Sequence, residues 1–156
     1  MKKLSSDDIS ITGVTGTHLH GYSNDDVKYF HSREHVFDVF PKNIKVFFKN
    51  TENILIYRAN IASLSKSDFQ PFGDKLKLFY FDGNQVEVIE RDLFSYNANL
   101  EKISFLSNQV KHVESGALKN LQKLTTLWFN RNPSCTATNV FDRSAVINLV
   151  AQIEGQ

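Results

Sequence analysis

The stretch that decides the fold runs from Leu100 to Asn120 and reads LEKISFLSNQVKHVESGALKN. Apolar residues alternate through its first part, and Asn108 stands in the middle of that line. The segment from Leu76 to Asn97 reads LKLFYFDGNQVEVIERDLFSYN and places its own Asn84 24 residues before Asn108. Self-similarity at a fixed offset of about 20–50 residues predicts a solenoid of stacked units.

The repeat extends beyond these two segments. Aligned on their asparagines, the two segments agree at seven positions. The pairs are Leu76/Leu100, Phe79/Ile103, Phe81/Phe105, Asn84/Asn108, Val86/Val110, Ile89/Val113 and Phe94/Leu118. A third copy holds Leu124, Leu127, Phe129 and Asn132, and an earlier copy holds Ile54, Ile56, Ile61, Leu64 and Phe69 with Ala59 in the asparagine slot. A fainter echo at Val36, Val39 and Ile44 lies one unit before that.

Each unit predicts a short strand followed by a turn. Alternation at Phe79-Tyr80-Phe81 and again around Ser104 is typical of a strand with one buried face. One such strand cannot bury its face alone, so we expect neighbouring strands to pair in parallel as the units stack. Asn84, Asn108 and Asn132 fall where the chain leaves each strand. There an amide side chain can satisfy buried backbone groups that have no ladder partner, so we predict a structural role for these three asparagines.

The shared template, L-x-x-L-x-L-x-x-N-x-L-x-x-L, resembles the leucine-rich repeat. The resemblance implies an α/β solenoid, a horseshoe with a curved parallel β-sheet on its concave side and turns or short helices on its convex side. We expect a single domain over 1–156, divided into an N-terminal cap (1–35), repeats of the 24-residue class (36–133) and a C-terminal helical cap (134–156).

Both caps are predicted from segments that lack the template. Near the C-terminus, FDRSAVINLVAQIEGQ predicts a helix with Asp142 as its N-cap and Gly155 just beyond its end. Its apolar stripe, which we expect to cover the last repeat, comprises Phe141, Ala145, Val146, Leu149, Val150 and Ile153. A partner-binding amphipathic helix is the alternative. The N-terminal DISITGVTGTHLHGYSNDDVKYF is expected to form a strand-rich cap with a polar loop at GYSNDD.

This N-terminal segment, and VTGTHLHGYSNDDV above all, is similar to small secreted leucine-rich repeat proteins of dipteran insects such as midges. The resemblance implies a secreted, extracellular protein. Such proteins usually carry a cysteine near DISIT, and this chain has none there. Cys135 is the only cysteine, so no intramolecular disulfide can form, and a cytoplasmic location stays open.

Composition excludes several partners. The formal net charge of +1 and the absence of a basic cluster give no electrostatic reason to expect nucleic acid. No apolar run approaches the roughly 18–20 residues of a membrane span, and MKKLSSDDIS has a basic start without the apolar stretch of a secretory signal.

No catalytic residue, cofactor or metal site is predicted. His18, His20, His31 and His35 could be imagined as metal ligands, but no carboxylate at a supporting spacing accompanies them. Cys135 would need a base such as His112 to act as a nucleophile, and no nucleophile elbow or phosphate loop is present. The chain is therefore not expected to be an enzyme.

The concave face carries the functional prediction. Strand residues that face water are usually polar, yet many of the positions expected to project from this sheet are apolar or aromatic. The predicted binding residues are Leu55, Tyr57, Arg58, Leu78, Tyr80, Asp82, Leu106, Trp128, Asn130 and Arg131. An apolar patch edged by arginines predicts a non-catalytic module that binds a protein or peptide. Tyr80 and Trp128 are expected to lie about 10 Å apart with Ser104 leaving a gap between them.

Cross-strand packing that only stabilises the sheet is the alternative explanation of this patch. Three other functions stay open: a small apolar or carbohydrate ligand on the concave aromatics, a homo-oligomer formed through the convex face or an edge, and an enzyme acting through the histidine-rich N-terminal cap.

Overall fold

Five parallel strands form the main sheet of the computed structural model, which describes residues 10–133 and 139–154. In spatial order they are β1 (Tyr29–Arg33), β2 (Asn53–Tyr57), β3 (Leu78–Tyr80), β5 (Lys102–Ser104) and β7 (Thr126–Trp128). A second, two-stranded parallel sheet pairs β4 (Val88–Ile89) with β6 (His112–Val113) on the opposite side of the units. Each strand of the main sheet pairs with the strand of the next unit, as the repeat predicts.

Helices are short except at the C-terminus. They are α1 (Ile44–Phe47), α2 (Lys66–Phe69) and α3 (Arg143–Ile153), with 3-10 turns at Asn24–Asp26 and Gln70–Lys75. No helix in the described part of the chain is long and apolar enough to cross a bilayer.

The register of the main sheet follows the repeat. Phe30 pairs with Ile54, Ile54 with Phe79, Phe79 with Ile103, and Ile103 with Leu127. Strand β1 therefore supplies a further unit, and this unit begins before the boundary predicted at residue 36. The N-terminal region thus contributes its strand to the main sheet. Elsewhere in residues 10–28, the structure has one 3-10 turn and a single bridge between Ser10 and Lys42.

A column of phenylalanine rings fills the space between the two sheets. Phe69 packs against Phe79 and Phe94, each with ring centroids 4.9 Å apart, and Phe105 continues the column to Phe129 at 6.2 Å. All five side chains are fully buried. Edge-to-face ring pairs of this kind add to the stability gained from apolar burial. Phenylalanine, which often replaces leucine in this template, therefore fills the larger space between the two sheets.

Asparagine side chains connect successive units. The Asn108 amide nitrogen donates to the carbonyl oxygens of Phe81 (2.7 Å) and Phe105 (3.2 Å), and its Oδ1 accepts from Val86 N–H (3.3 Å). Asn132 repeats this arrangement on Phe105, Phe129 and Val110 one unit later. Asn84 accepts from Ala59 and Ile61 and donates to Ile56 one unit earlier. These contacts pair backbone groups buried outside the strand ladder.

A second asparagine connection lies on the convex side, at positions that the repeat template does not include. Asn97 is fully buried, and its amide donates to the carbonyl oxygens of Phe69 (3.2 Å) and Gly73 (2.9 Å). Asn120 makes the corresponding contact to Phe94 at 2.9 Å. The asparagine register at Asn84, Asn108 and Asn132 leaves Asn97 out and so predicts little cost for Asn97→Ala, and these buried contacts contradict that prediction.

Helix α3 covers the end of the column. Val146, Leu149 and Ile153 are buried, Ala145 and Val150 are half-buried, and Asp142 accepts from Ala145 N–H as the N-cap. Phe141, by contrast, is 66% exposed, so its place in the buried stripe is wrong. It precedes the N-cap and therefore does not follow the helical period. Gly155 and Cys135 lie outside the described residues.

Polar contacts fasten this cap to the repeats. The Glu154 carboxylate accepts from the backbone N–H groups of Gly116 (2.8 Å) and Leu118 (3.0 Å). At the other end of the helix, the Arg143 guanidinium donates to the carbonyl oxygens of Leu121 (2.8 Å) and Leu124 (3.2 Å). Both sets satisfy backbone groups that a solenoid would otherwise leave unpaired at its end.

Candidate functional site

The candidate site is the concave face, defined as the side chains of the five-stranded sheet that point away from the phenylalanine column and the residues that follow each strand. Because side chains alternate along a strand, residues in register form rows across the sheet. The middle row reads His31, Leu55, Tyr80, Ser104 and Trp128.

Two aromatic rings of the middle row meet above Ser104. The ring centroids of Tyr80 and Trp128 lie 4.9 Å apart at an interplanar angle of 37°, and Ser104 is fully buried. The predicted 10 Å separation describes the backbone positions but is wrong for the rings. A small residue between two large ones leaves space that the rings fill by leaning toward each other, because offset and tilted aromatic pairs are favourable contacts. The gap expected for a ligand is therefore closed.

The aromatic row continues beyond the sheet. An antiparallel bridge between Leu127 and Val140, with backbone hydrogen bonds of 3.1 Å in both directions, brings the following segment alongside β7. Phe141 then lies edge-on to Trp128 at 6.1 Å and 71°. Tyr80, Trp128 and Phe141 thus form one continuous aromatic surface, called here the aromatic row. The position of Phe141 before the N-cap Asp142 was the signal that could have separated it from the core stripe.

The predicted apolar residues of the face are only partly accessible. Each of Leu55, Tyr57, Leu78, Tyr80, Leu106 and Trp128 is half-buried. Packing between neighbouring strands therefore buries part of each of these side chains, and Phe141, 66% exposed, is the most exposed ring of the aromatic row. A partner would contact edges and faces of side chains that the sheet already holds in place.

Strand β1 adds residues that the sequence analysis missed. Tyr29 is 62% exposed, and the imidazole of His31 packs edge-on against the Tyr57 ring at 5.5 Å and 89°. Arg33 ends the strand in register with Tyr57. The echo at Val36 already aligned with Ile61, and extending that alignment upstream would have placed a strand near Phe30.

A groove of about 300 Å³ lies on the concave face, where the strands end. A separate groove of about 390 Å³ lies beside α1, lined by Phe40, Ile44 and Phe72 among others. The concave groove brings together most of the polar residues predicted for the site. It is lined by Arg33, Tyr57, Arg58, Asp82, Gly83, Leu106, Ser107 and Arg131. Leu55, Leu78, Tyr80, Trp128 and Asn130 do not line it. The predicted residues therefore divide between the aromatic row with its neighbours and this groove, called here the arginine groove.

One residue in the turn after each strand of the main sheet adopts a left-handed backbone. The φ angles are 60° at Glu34, 53° at Arg58, 69° at Gly83, 56° at Ser107 and 60° at Arg131. Such angles are costly for residues other than glycine. This backbone directs the N–H group toward the next unit. Arg58 N–H donates to the backbone carbonyl oxygen of Asp82 at 3.0 Å, and Ser107 N–H donates to that of Asn130 at 3.0 Å.

Gly83 makes room for an arginine. A β-carbon at this position would lie 3.0 Å from Cγ of Arg58, closer than side chains normally approach. The Arg58 side chain passes close to Gly83 at its Cγ, and its guanidinium forms an ion pair with Glu34 at 3.1 Å. Glu34 also lies 3.6 Å from Arg33. One carboxylate thus orders two guanidinium groups at one end of the arginine groove.

Asp82 is the carboxylate inside the arginine groove. It accepts from the Ser104 hydroxyl and, at 3.2 Å, from Leu106 N–H. Burial raises the pKa of Asp82, and these two hydrogen bonds offset only part of that shift. Burial also raises the pKa of the Tyr57 and Tyr80 hydroxyls, with the Asp82 charge as a smaller cause. Asp82 therefore lies in the partly desolvated floor of the groove, where its charge interacts more strongly than it would at the open surface.

Two polar atoms at the C-terminal end of the face have no hydrogen-bond partner among the described residues. They are Nε1 of Trp128 and Oδ1 of Asn130, both buried. Buried donors and acceptors are normally paired, so these two atoms stand out from the rest of the sheet.

The histidines have other contacts. His18 bonds Asn24 at 2.7 Å, and His35 bonds Ser32 at 3.2 Å. Within residues 10–133 and 139–154, no three histidine, cysteine, aspartate or glutamate side chains are grouped so that they could hold a metal ion.

Comparison with known proteins identifies the fold. No family model matches the chain, and no curated protein matches it. Among solved structures, it is similar to a chain in the Toll–Spatzle complex, described as a molecular hub in Drosophila development and innate immunity, with a TM-score of 0.62, 17% identity and 73% of this chain covered. It is also similar to the APL1 leucine-rich repeat domain, with a TM-score of 0.61, 17% identity and 80% covered.

This chain spans 15% of the first structure's chain and 33% of the second. At this identity the similarity establishes the fold alone: the chain has a leucine-rich repeat fold, as its template predicts. The resemblance to midge proteins stays a prediction.

Proposed function

We propose that the protein is a non-catalytic module that binds a protein or peptide on its concave face. The observation that carries this proposal is the aromatic row, in which Tyr80, Trp128 and Phe141 are in ring contact and Phe141 remains 66% exposed. Rigid aromatic side chains lose little conformational entropy on binding and are enriched among the residues that dominate interface energies.

The sheet holds this surface in a fixed geometry. Parallel pairing from β1 to β7 sets the rows of side chains, and the buried asparagines fix each unit to the next. A binding surface on regular strands is ordered before the partner arrives, which reduces the entropic cost of association. One of the similar solved structures is that of a complex, Toll with Spatzle, and a protein partner for this chain is proposed by analogy of fold alone.

An extracellular location forms part of the proposal. It follows from the resemblance of VTGTHLHGYSNDDV to small secreted insect proteins. An antibody against this chain, used on extracellular fluid and on washed cells of the source, tests it: we expect the protein in the fluid, and recovery only from the cells would contradict it.

Affinity capture with matched variants tests the binding surface. The wild-type protein, Tyr80→Ala and Trp128→Ala are immobilised, and bound proteins from the source are compared. Val88→Ala on β4 is the control, since Val88 is 44% exposed on the convex side. We expect a protein retained by the wild type and the control and lost from both aromatic variants. Equal retention by all four would exclude the aromatic row as the site.

A further inference from the structure

We propose that the arginine groove recognises the carboxylates of an acidic, extended peptide segment. This inference rests on the proposed function and names the chemistry of the partner. It adds a second anchoring region to the aromatic row, at the ends of the strands, and the two regions can be tested separately.

Charge on the concave face favours an acidic partner. Arg33, Arg58 and Arg131 line the groove. Asp82, the carboxylate that lines the groove, is held by Ser104 and Leu106, and Glu34 beside the groove is paired with two of these arginines. Arg131 is exposed, and no ion pair or hydrogen bond joins it to the described residues. Its guanidinium therefore presents donors that match a carboxylate in a bidentate geometry.

The groove is prepared for this recognition. Glu34 orders the guanidinium groups of Arg33 and Arg58, and Gly83 leaves space for the Arg58 side chain. Ordered guanidinium groups lose less entropy when they bind than free surface side chains do. Tyr57 and Leu106 provide apolar walls between the cationic ends.

Strand spacing sets the length of the ligand. Arg58 follows β2 and Arg131 follows β7, with β3 and β5 between them. Three steps of about 4.8 Å separate the two positions by about 14 Å, which an extended chain covers in about four residues at about 3.3 Å each. A segment with carboxylates four residues apart and an apolar residue between them can reach both ends.

A nucleic acid is disfavoured as the occupant. The whole chain has a formal net charge of +1, which falls short of the basic surface that neutralises a phosphate backbone. Three arginines around apolar walls fit a few carboxylates on a peptide better than a polyanion.

The test uses an N-acetylated, C-amidated peptide, Glu-Ala-Leu-Ala-Glu, and its uncharged analogue, Gln-Ala-Leu-Ala-Gln. Both are titrated into the ¹⁵N-labelled full chain and followed by NMR. We expect the acidic peptide to shift the side-chain Nε–Hε signals of Arg33, Arg58 and Arg131 and to bind at least about fivefold more tightly than its analogue. Arg131→Gln should lower this affinity at least about fivefold, whereas Lys119→Gln, the same loss of charge on the convex side, should not change it.

Three results would overturn the proposal. Equal affinity for the two peptides would show that the groove does not recognise their carboxylates. No binding of the acidic peptide would exclude the groove as a site for acidic segments. Displacement by sodium phosphate, but not by sodium chloride of the same ionic strength, would mean a bare anion site and would also overturn it. If both peptides bind equally and Tyr80→Ala weakens both, the proposed function stands while the acidic ligand fails.

Discussion

Tyr80 and Trp128 lie two strands apart, yet their rings touch at 4.9 Å over the buried Ser104. The pair joins β3 to β7 above β5, so it contributes both to the stability of the sheet and to the surface it presents. Any substitution of one ring therefore changes the environment of the other, and the two roles must be measured separately.

The first prediction concerns this pair as a packing unit. Tyr80→Ala, Trp128→Ala and the double variant should show a coupling of about 0.5–1.5 kcal/mol in the free energy of unfolding, because each single truncation already removes the ring contact. Urea denaturation of the four proteins measures it. Tyr80→Ala combined with Val88→Ala is the control, and it should be additive. Additivity of the aromatic pair within about 0.3 kcal/mol would show that the rings do not interact in solution.

The second prediction concerns the buried asparagines. Asn108→Ala removes the partners of three buried backbone groups and should cost about 1–3 kcal/mol of stability. Asn97→Ala should cost a similar amount, since its amide bonds two carbonyl groups from a fully buried position. Thermal and urea unfolding measure both.

Asn148 supplies the control for these substitutions. It is exposed on α3, and Asn148→Ala should change stability by less than about 0.5 kcal/mol or raise it slightly through helix propensity. Losses at Asn108 and Asn97 no larger than the change at Asn148 would contradict the structural role of both.

The third prediction uses pH. Burial raises the pKa of Asp82 in the folded state, so the folded protein binds this proton more tightly than the unfolded chain does. Stability from this group is present below the unfolded pKa and is lost as pH rises through the folded pKa. Asp82→Asn should therefore be more stable than wild type at neutral pH, and the gain should vanish in acid.

Glu52 provides the opposite sign. Hydrogen bonds from Lys77 and Lys28 lower its pKa, so its contribution is present above the unfolded pKa and is lost as pH falls through the folded pKa. Glu52→Gln should be less stable than wild type at neutral pH and equal to it in acid. Urea unfolding across pH measures both variants, and the same sign of pH dependence for both would contradict these assignments.

The fourth prediction separates a binding residue from a core residue within one cap. Phe141 is 66% exposed and precedes the helix, whereas Leu149 is 3% exposed within it. Leu149→Ala should cost about 2–5 kcal/mol of stability, while Phe141→Ala should stay within about 0.5 kcal/mol and weaken partner binding. Chemical denaturation and calorimetry measure the two effects. A large loss of stability in Phe141→Ala would show that Phe141 is a core residue after all.

Much of the fold could be predicted because the repeat constrains it. One asparagine register, read at Asn84 and Asn108, places the strands and the turns at once, since every unit must bury the same face. Strand β1 was missed because Ser32 stands at an apolar position of the template, in register with Ile56, although Phe30 fits the template and pairs with Ile54.

Side-chain contacts were harder to predict than the register. Sequence spacing fixes the backbone separation of Tyr80 and Trp128, but the direction of each ring depends on what fills the space over Ser104. The buried position of Asn97 was not predicted for a related reason: the carbonyl groups that its amide bonds, those of Phe69 and Gly73, belong to the preceding unit. The predicted binding residues lie partly in the aromatic row and partly in the arginine groove, and their role in binding remains a prediction.

The most direct test of the central claim is the calorimetric Kd of the captured partner for Trp128→Ala beside wild type, with Lys119→Gln as the convex control and circular dichroism to verify folding. A truncated aromatic anchor at the centre of an interface typically costs about 2 kcal/mol or more. We therefore expect at least about tenfold weaker binding by Trp128→Ala and an unchanged Kd for Lys119→Gln. A folded Trp128→Ala protein that binds with the wild-type Kd would contradict the claim that the concave face binds the partner.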